Sequence, residues 1–330
     1  MKSSRKLIVA SITTLSIATV AWTRFPGGPP PMRRHTTTKS TGKPKLIPDT
    51  RRSPGRNKVS ITIEGEFRVI HSNGIPAHPT GSFPNRGNPN RIAAQDYLFR
   101  IPAKPKSADK ITPLRMQDFG IALNGVPFDP GAAEFYLGNR HGGWQYEALS
   151  GAVPLGIDRS HAHVQPTGAY HYHGLPTHLL SALKLDKAAH SPLVGWAADG
   201  FPIYAVYGYS DAKSPVAGLK ALSSSFRLKS GNRPGGKNQP GGIYDGTFVA
   251  DYEFSRGHGD LDECNGRFGI TPEFPDGTYA YFLSEEWPVI PRAFRGTPSR
   301  DFERRRPQGG PPRSGPPGRR PYPRRRPPPR

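Results

Sequence analysis

The stretch from His161 to His173 reads HAHVQPTGAYHYH and holds four of the 11 histidines of the chain. The histidines form two pairs, His161 with His163 and His171 with His173. Each pair has the i, i+2 spacing that places two side chains on one face of a β-strand. The Pro-Thr-Gly segment between the pairs is typical of a tight turn, with Pro starting a type I turn and Gly in the left-handed position. The stretch therefore predicts a β-hairpin with histidines on both strands.

The length of the hairpin loop decides whether the two pairs meet, because a shift of one residue turns every side chain to the other face. A three-residue loop from Pro166 to Gly168 places His163 opposite His171 and His161 opposite His173, so that all four imidazoles share one face. A two-residue loop would divide the histidines between both faces. The sequence favours the three-residue loop.

Four imidazoles on one surface repel one another once protonated, and a divalent metal ion would hold them together. Imidazole suits zinc, copper, iron and nickel, and three histidines with an open position are typical of a catalytic site. We predict a divalent transition metal, zinc or copper, with His161, His163, His171 and His173 as ligands. In the alternative, the histidines pack without metal, bind a ligand or sense acidic pH.

Several polar residues elsewhere in the chain are candidates for orienting the metal ligands, because carboxylates commonly hydrogen-bond to ligand imidazoles. These candidates are His141, Asp199, His258, Asp262 and Glu263. No residue is assigned a catalytic role.

Outward from the hairpin, short apolar runs alternate with turn residues, which is typical of many short strands. The clearest alternation is Val59 to Ile63; further strand candidates are 67–70, 97–101, 119–123, 201–207, 244–252 and 278–283. Helix is expected only at 181–189 and, as a single turn, at 131–136. The pattern predicts a mainly β fold, an antiparallel sandwich or barrel-like domain with long loops and little helix.

The net charge of +21 is concentrated at the two ends of the chain. Residues 1–58 carry +12 and residues 304–330 carry +10, whereas residues 59–303 carry −1. The globular part therefore has no general attraction for polyanions, and we predict no specific nucleic-acid binding. The basic ends are suited to anionic envelope polymers or a membrane surface.

The first 22 residues are typical of a targeting segment, with Lys2, Arg5 and Lys6 before an apolar run that ends at Trp22. The run is short for a membrane span, which favours a cleaved signal peptide and leaves an uncleaved anchor open. We predict an exported protein, periplasmic or extracellular. Residues 23–58 are predicted to be a disordered linker rich in basic residues, Pro and Gly, residues 59–303 the β domain, and residues 304–330 a disordered Arg/Pro-rich tail.

Cys264 is the single cysteine of the chain, so an intramolecular disulfide cannot form. Its side chain is interpreted as a buried small hydrophobic group, with a thiol metal ligand or nucleophile as the alternative.

The hairpin segments 162–166 and 170–174 resemble the signature of the YHYH-domain family. Four other segments are also similar to that family: 124–128, 199–204, 261–267 and 274–298. The resemblance covers about residues 60–302. It implies an exported bacterial-type domain, in a family without a settled biochemical activity.

Two functions follow from these features. The first is an exported metal-binding protein, including the case of a metal-dependent hydrolase. The second is a non-catalytic, envelope-associated binding module held by its basic tails. The sequence contains no serine elbow, phosphate loop or dinucleotide fingerprint that would support another enzyme class.

Overall fold

The structure, a computed structural model, describes residues 35–303. Strand makes up 34% of the chain and helix 4%, which confirms the predicted mainly β class. In chain order the elements are β1 (Val59–Glu64), β2 (Phe67–Ser72), β3 (Tyr97–Pro102), β4 (Thr112–Pro113), β5 (Gly120–Ala122), β6 (Pro127–Phe128), β7 (Gly131–Phe135), β8 (Gln145–Glu147), β9 (Ala162–Val164), β10 (Tyr170–Tyr172), α1 (Thr177–Ala182), β11 (Gly195–Ala197), β12 (Pro202–Ala205), β13 (Tyr207–Asp211), β14 (Ser214–Ala221), β15 (Phe226–Leu228), a 3-10 turn (Val249–Asp251), β16 (Tyr252–Phe254), β17 (Gly266–Thr271), β18 (Phe274–Leu283), β19 (Ala293–Phe294) and a second 3-10 turn (Arg300–Phe302).

The largest sheet has eight strands in the order β17-β18-β12-β11-β5-β6-β10-β9. Two of its neighbouring pairs, β12 with β18 and β6 with β10, are parallel, and the other pairs are antiparallel. The sheet is therefore mixed, whereas the sequence predicts an antiparallel one. It is also open, since no pairing within residues 35–303 joins β17 to β9. The barrel-like alternative therefore does not form.

A second sheet contains β1, β2 and β3 in antiparallel order. Ile61 lies opposite Ile70, and Ile70 lies opposite Phe99. Ile70 and Phe99 are buried, so the alternation predicted for β1 places the apolar face of this sheet on the core. Four two-stranded sheets, β4 with β19, β7 with β8, β13 with β14 and β15 with β16, complete the fold.

Aromatic side chains from β10 and β18 fill the centre of the largest apolar cluster. Tyr170 and Tyr172 of β10, and Tyr279 and Tyr281 of β18, are almost entirely shielded from solvent. Burial of such large side chains supplies much of the driving force for folding. The tyrosines of the histidine stretch thus serve the core.

Residues 35–58, which we call the N-terminal strap, run along the β domain. Backbone hydrogen bonds join Thr41 N to Ser150 O (3.1 Å) and Ile47 N to Ile157 O (2.8 Å). The strap is the described part of the predicted linker, and its contacts with the domain begin upstream of β1. Composition does not reveal such contacts, because they are made by backbone groups that every residue carries.

Three local predictions differ from the structure. Residues 131–135 form β7 where one helical turn is expected, and 244–252 is a loop and a 3-10 turn that leads into β16. The helix α1 begins at Thr177 and ends at Ala182, upstream of most of the expected 181–189. Short apolar runs do not distinguish strand from helix when neither period is repeated.

Residues 1–34 and 304–330 lie outside the described residues, and with them the predicted signal peptide or anchor, the start of the linker and the C-terminal tail. Within residues 35–303, no helix has the length and apolar character needed to cross a membrane.

Candidate metal centre

The hairpin of β9 and β10 has the register that the three-residue loop predicts. His163 pairs with His171, and across the loop Gln165 N donates to Ala169 O (2.9 Å). Gly168 has a φ of 88°, the left-handed conformation expected of the last loop residue. Histidines of β9 and β10 therefore lie on one face of the hairpin and the tyrosines on the other.

Three imidazoles converge on the face of the hairpin opposite the tyrosines, where His171 and His173 are buried. His163, His171 and His173, called the histidine triad below, have ring centroids 4.5–4.7 Å apart. One ring nitrogen from each lies within 4.8 Å of the others, and the Nε2 atoms of His171 and His173 are 3.1 Å apart. Two nitrogen ligands of a tetrahedral zinc ion are separated by about 3.3 Å. The triad is thus close to the spacing of a metal site.

Backbone carbonyls determine how two of the rings are protonated. Nδ1 of His163 donates to Leu155 O (3.0 Å), and Nδ1 of His171 donates to Ala169 O (3.2 Å). A proton on Nδ1 leaves the Nε2 lone pair of a neutral imidazole open, which is the usual arrangement of a histidine metal ligand. Because a lone pair on His171 Nε2 faces a second ring nitrogen at 3.1 Å, a proton or a cation must lie between them. This tautomer assignment fits a metal ion.

Asp129 is the acidic group beside the triad. Its Oδ2 lies 3.7 Å from His171 Nε2, and its side chain is 3% exposed. Gln165 Nε2 donates to Oδ2 (3.2 Å) and Gly131 N donates to Oδ1 (3.2 Å), so the carboxylate is held in place. A buried carboxylate close to an imidazole favours a cation at the site.

The parallel pairing of β6 with β10 places Asp129 there. Tyr172 lies opposite Phe128, and Asp129 N donates to Tyr172 O (2.8 Å). Asp129 is not among the residues that the sequence singles out. The sequence feature that could have pointed to Asp129 is its position directly after the segment 124–128, which resembles the family. The pairing of β6 with β10 cannot be predicted from the local sequence pattern.

His161 does not join the triad, although the sequence predicts it as a fourth ligand. The backbone of His161 lies opposite His173, as the three-residue loop predicts, since His173 N donates to His161 O (2.7 Å). However, β9 begins only at Ala162, and His161 has a φ of 54°, so strand alternation does not extend to its side chain. Its Nδ1 donates to Leu175 O (2.8 Å), and the ring lines a separate cavity.

The buried tyrosines fix the back face of the hairpin by hydrogen bonds. The Tyr170 hydroxyl donates to Asp158 Oδ2 (2.7 Å), and burial raises the pKa of Asp158. The Tyr172 hydroxyl accepts from Asn124 Nδ2 (2.8 Å) and donates to Nε2 of His78 (2.7 Å), whose Nδ1 donates to a backbone carbonyl. Burial lowers the pKa of His78, which keeps the ring neutral as this acceptor. These bonds hold the strand that carries two of the triad histidines.

Two predicted orienting residues, Asp199 and Asp262, bind to the β18 tyrosines instead of the triad. Tyr281 Oη donates to Asp199 Oδ2 (2.5 Å) and Tyr279 Oη donates to Asp262 Oδ1 (2.9 Å). Burial raises the pKa of both carboxyls, that of Asp199 to about 6.

The remaining candidates, His141, His258 and Glu263, are not part of the metal-ligand group found among residues 35–303. His141 and His258 are exposed on the surface. Cys264 is fully buried, and burial raises the pKa of its thiol to about 12, so it packs as a small hydrophobic group.

Fold and site together define a class: a mainly β domain that carries a histidine cluster on a two-stranded hairpin. A family model described as "YHYH protein" matches residues 98–296, which include the whole hairpin and Asp129. The match covers more than half of the chain, so the chain belongs to the YHYH protein family, as its sequence resemblance predicts. No curated protein and no solved structure matches the chain.

Proposed function

We propose that the protein binds one divalent transition metal ion, zinc or copper, through His163, His171 and His173. The observation that carries this proposal is the convergence of one ring nitrogen from each histidine to within 4.8 Å on a hairpin of defined register. Three imidazoles select a borderline metal over magnesium or calcium, which prefer oxygen ligands.

A site with three protein ligands keeps a position open for water or substrate, as catalytic zinc sites do. When bound there, the metal supplies a Lewis acid that polarises a carbonyl and lowers the pKa of water. Asp129, whose Oδ2 lies 3.7 Å from His171 Nε2, would be the residue to accept a proton from water at such a site. This arrangement supports hydrolysis as the reaction class, within the broader proposal of metal binding.

We propose further that the protein is exported, to the periplasm or beyond. The support is the sequence pattern of residues 1–22, with basic residues before an apolar run. The basic ends of the chain would then face anionic envelope polymers or lipid headgroups, and attraction to them would weaken as salt rises.

Metal analysis of the full-length protein tests the proposal. After purification without an affinity metal and dialysis against zinc or copper, we expect close to one equivalent bound. The double variant His163→Ala/His171→Ala should bind none, whereas the control His141→Ala, which changes an exposed histidine outside the triad, should bind as the parent does.

Circular dichroism and thermal unfolding establish that each variant is folded. Metal-free parent protein after dialysis would leave the non-catalytic envelope-associated module as the remaining function. Full binding by the folded double variant would mean that the metal binds outside the triad.

A further inference from the structure

A cavity of about 280 Å³ lies at the end of the hairpin away from its loop. The hairpin contributes His161 and Leu175, and the strap contributes residues 40 and 42–44. Glu147 of β8, Tyr252 of β16 and loop residues that include Asp245 and Trp287 complete the wall. The cavity is separate from the histidine triad, because none of the triad residues lines it.

The cavity is nevertheless next to the candidate metal centre. His161, in its wall, is paired through its carbonyl with His173 of the triad (2.7 Å). His161 also lies two residues before His163 in the sequence. The cavity therefore adjoins the segment that carries the candidate metal centre.

Two carboxylates supply fixed hydrogen-bond acceptors, and each is bonded to an arginine. Glu147 Oε2 accepts from Arg292 Nη2 (2.6 Å), and Asp245 Oδ1 is bonded to the guanidinium of Arg233. Arg233 is shared with the buried Asp251, so this group of charges keeps one net negative charge. Carboxylates paired with arginine keep spare lone pairs, which can accept from the hydroxyl groups of a ligand and would repel an anionic one.

Two further polar groups in the wall have hydrogen-bonding capacity for a ligand. Because Nδ1 of His161 donates to Leu175 O, Nε2 of the neutral ring is an acceptor. The Tyr252 hydroxyl lies in the wall, and burial raises its pKa, so it remains protonated and donates.

The wall also contains Ser40, Lys43, Ser150 and Glu285, and its remaining side chains are apolar. Tyr252 stacks on Trp287 with ring centroids 4.1 Å apart and 7° between the planes. Leu149, Leu175 and Val289 also line the cavity. Acceptors and donors beside aromatic and aliphatic surface match the two kinds of surface on a sugar ring, its hydroxyl edge and its C–H faces.

We propose that this cavity binds one ring of a neutral carbohydrate, with a hydrogen bond from Tyr252 and hydrogen bonds to His161 Nε2 and Glu147. The volume is near the lower end of small-molecule pockets, about 300 Å³, and suits a single ring. This binding does not depend on the metal and goes beyond the proposed function.

Ligand-observed NMR with the full-length protein tests the proposal. The probes are methyl glycosides of neutral hexoses and N-acetylhexosamines, with spermidine and glucuronic acid as cationic and anionic comparators. We expect at least one neutral glycoside to bind with a Kd below about 10 mM, and neither comparator to bind in the cavity.

Two conservative variants locate the binding. Tyr252→Phe removes only the hydroxyl, and His161→Asn keeps a residue that tolerates positive φ; each should weaken glycoside binding about fivefold or more. Tyr209→Phe, outside the cavity, is the matched control and should bind as the parent does.

Three results would overturn the proposal: no glycoside bound at about 10 mM, preference for spermidine or glucuronic acid, or glycoside binding unchanged in both cavity variants. Protein stripped of metal with a chelator should bind the glycoside equally well. A failure of metal binding is thereby distinguished from a failure of carbohydrate binding.

Discussion

At the scale of single residues, Asp129 is the carboxylate held beside the histidine triad of the candidate metal centre. Its carboxylate is held by Gln165 and Gly131 and lies 3.7 Å from His171 Nε2. In a site from which water is largely excluded, a fixed negative charge at this distance stabilises a bound cation and the imidazoles around it.

Replacing Asp129 tests that role. We expect Asp129→Asn to weaken zinc binding about tenfold, as loss of a carboxylate next to metal-ligating histidines commonly does. Competition with a chromophoric chelator measures the affinity. Asp276→Asn, which changes an exposed carboxyl, is the control. Equal affinities for the two variants would exclude Asp129 from the site.

Asp199 makes stability depend on pH. Burial raises its folded-state pKa to about 6, above the usual value of 3.8. A group with a raised folded pKa contributes stability that is complete below its unfolded pKa and lost as pH rises through the folded pKa. Asp199 therefore lowers the free energy of unfolding as pH rises from about 4 to about 6, by about 3 kcal/mol in total.

Urea unfolding of the parent and of Asp199→Asn, repeated from pH 4 to pH 8, measures this loss. The quantity to compare is the difference between the two free energies of unfolding at each pH. We expect the parent to lose stability relative to the variant over that window. Asp276→Asn, which changes an exposed carboxyl, is the control. A constant difference for Asp199→Asn would mean that its carboxyl titrates normally in the folded protein.

At the scale of elements, the hairpin loop determines whether the triad exists. Gly168 combines a φ of 88° with a close neighbour, since a Cβ there would lie 2.5 Å from Ala93 Cβ. Gly143 has a similar φ of 77° but no atom within 4 Å of such a Cβ. Alanine substitutions at the two glycines therefore distinguish the cost of backbone strain from the cost of steric overlap.

We expect Gly143→Ala to lower the free energy of unfolding by about 1 kcal/mol, the cost of a left-handed alanine. Gly168→Ala should cost at least about 1 kcal/mol more and also weaken zinc binding, because the loop must shift to relieve the overlap. Urea unfolding and zinc titration measure the two effects. Equal destabilisation with unchanged zinc affinity would show that the loop tolerates the shift.

The hairpin also shows which parts of the site can be predicted from sequence. Its register follows from Pro166 and Gly168, because turn chemistry is local. The departure of His161 depends on one backbone angle at the start of β9, which the i, i+2 spacing does not reveal. Asp129 depends on a parallel partner strand, and no local pattern identifies the partner.

At the scale of the whole molecule, the strap links distant parts of the fold. Thr38 O accepts from Nη1 of Arg233 (2.7 Å), whose guanidinium is fully buried, and Ser40 N donates to Asp245 Oδ2 (3.0 Å). Removing the strap takes an acceptor from a buried charge, which is costly even when other acceptors remain.

A chain that begins at residue 59 should therefore be less stable than one that begins at residue 35. We expect the free energy of unfolding to fall by about 1–3 kcal/mol and Tm by several degrees, measured by calorimetry. Zinc binding should persist in both, since the backbone carbonyls that orient His163 and His171 belong to Leu155 and Ala169, which lie outside the strap. Identical Tm values would mean that the strap adds nothing to stability.

The mainly β class is predictable because period-two apolar patterns are a local property of each strand. Sheet order is not, since β12 meets β18 and β6 meets β10 across long stretches of chain. Composition does not predict the docking of the strap for the same reason, since its partners, among them Arg233 and Asp245, are remote in sequence.

The bond from Ser40 to Asp245 spans 205 residues. During synthesis from the N-terminus, Ser40 is made long before Asp245, so this contact cannot form until most of the chain has been made. We expect the early-made segment to be the last to dock, so that the wall it contributes to the cavity appears only in the finished molecule.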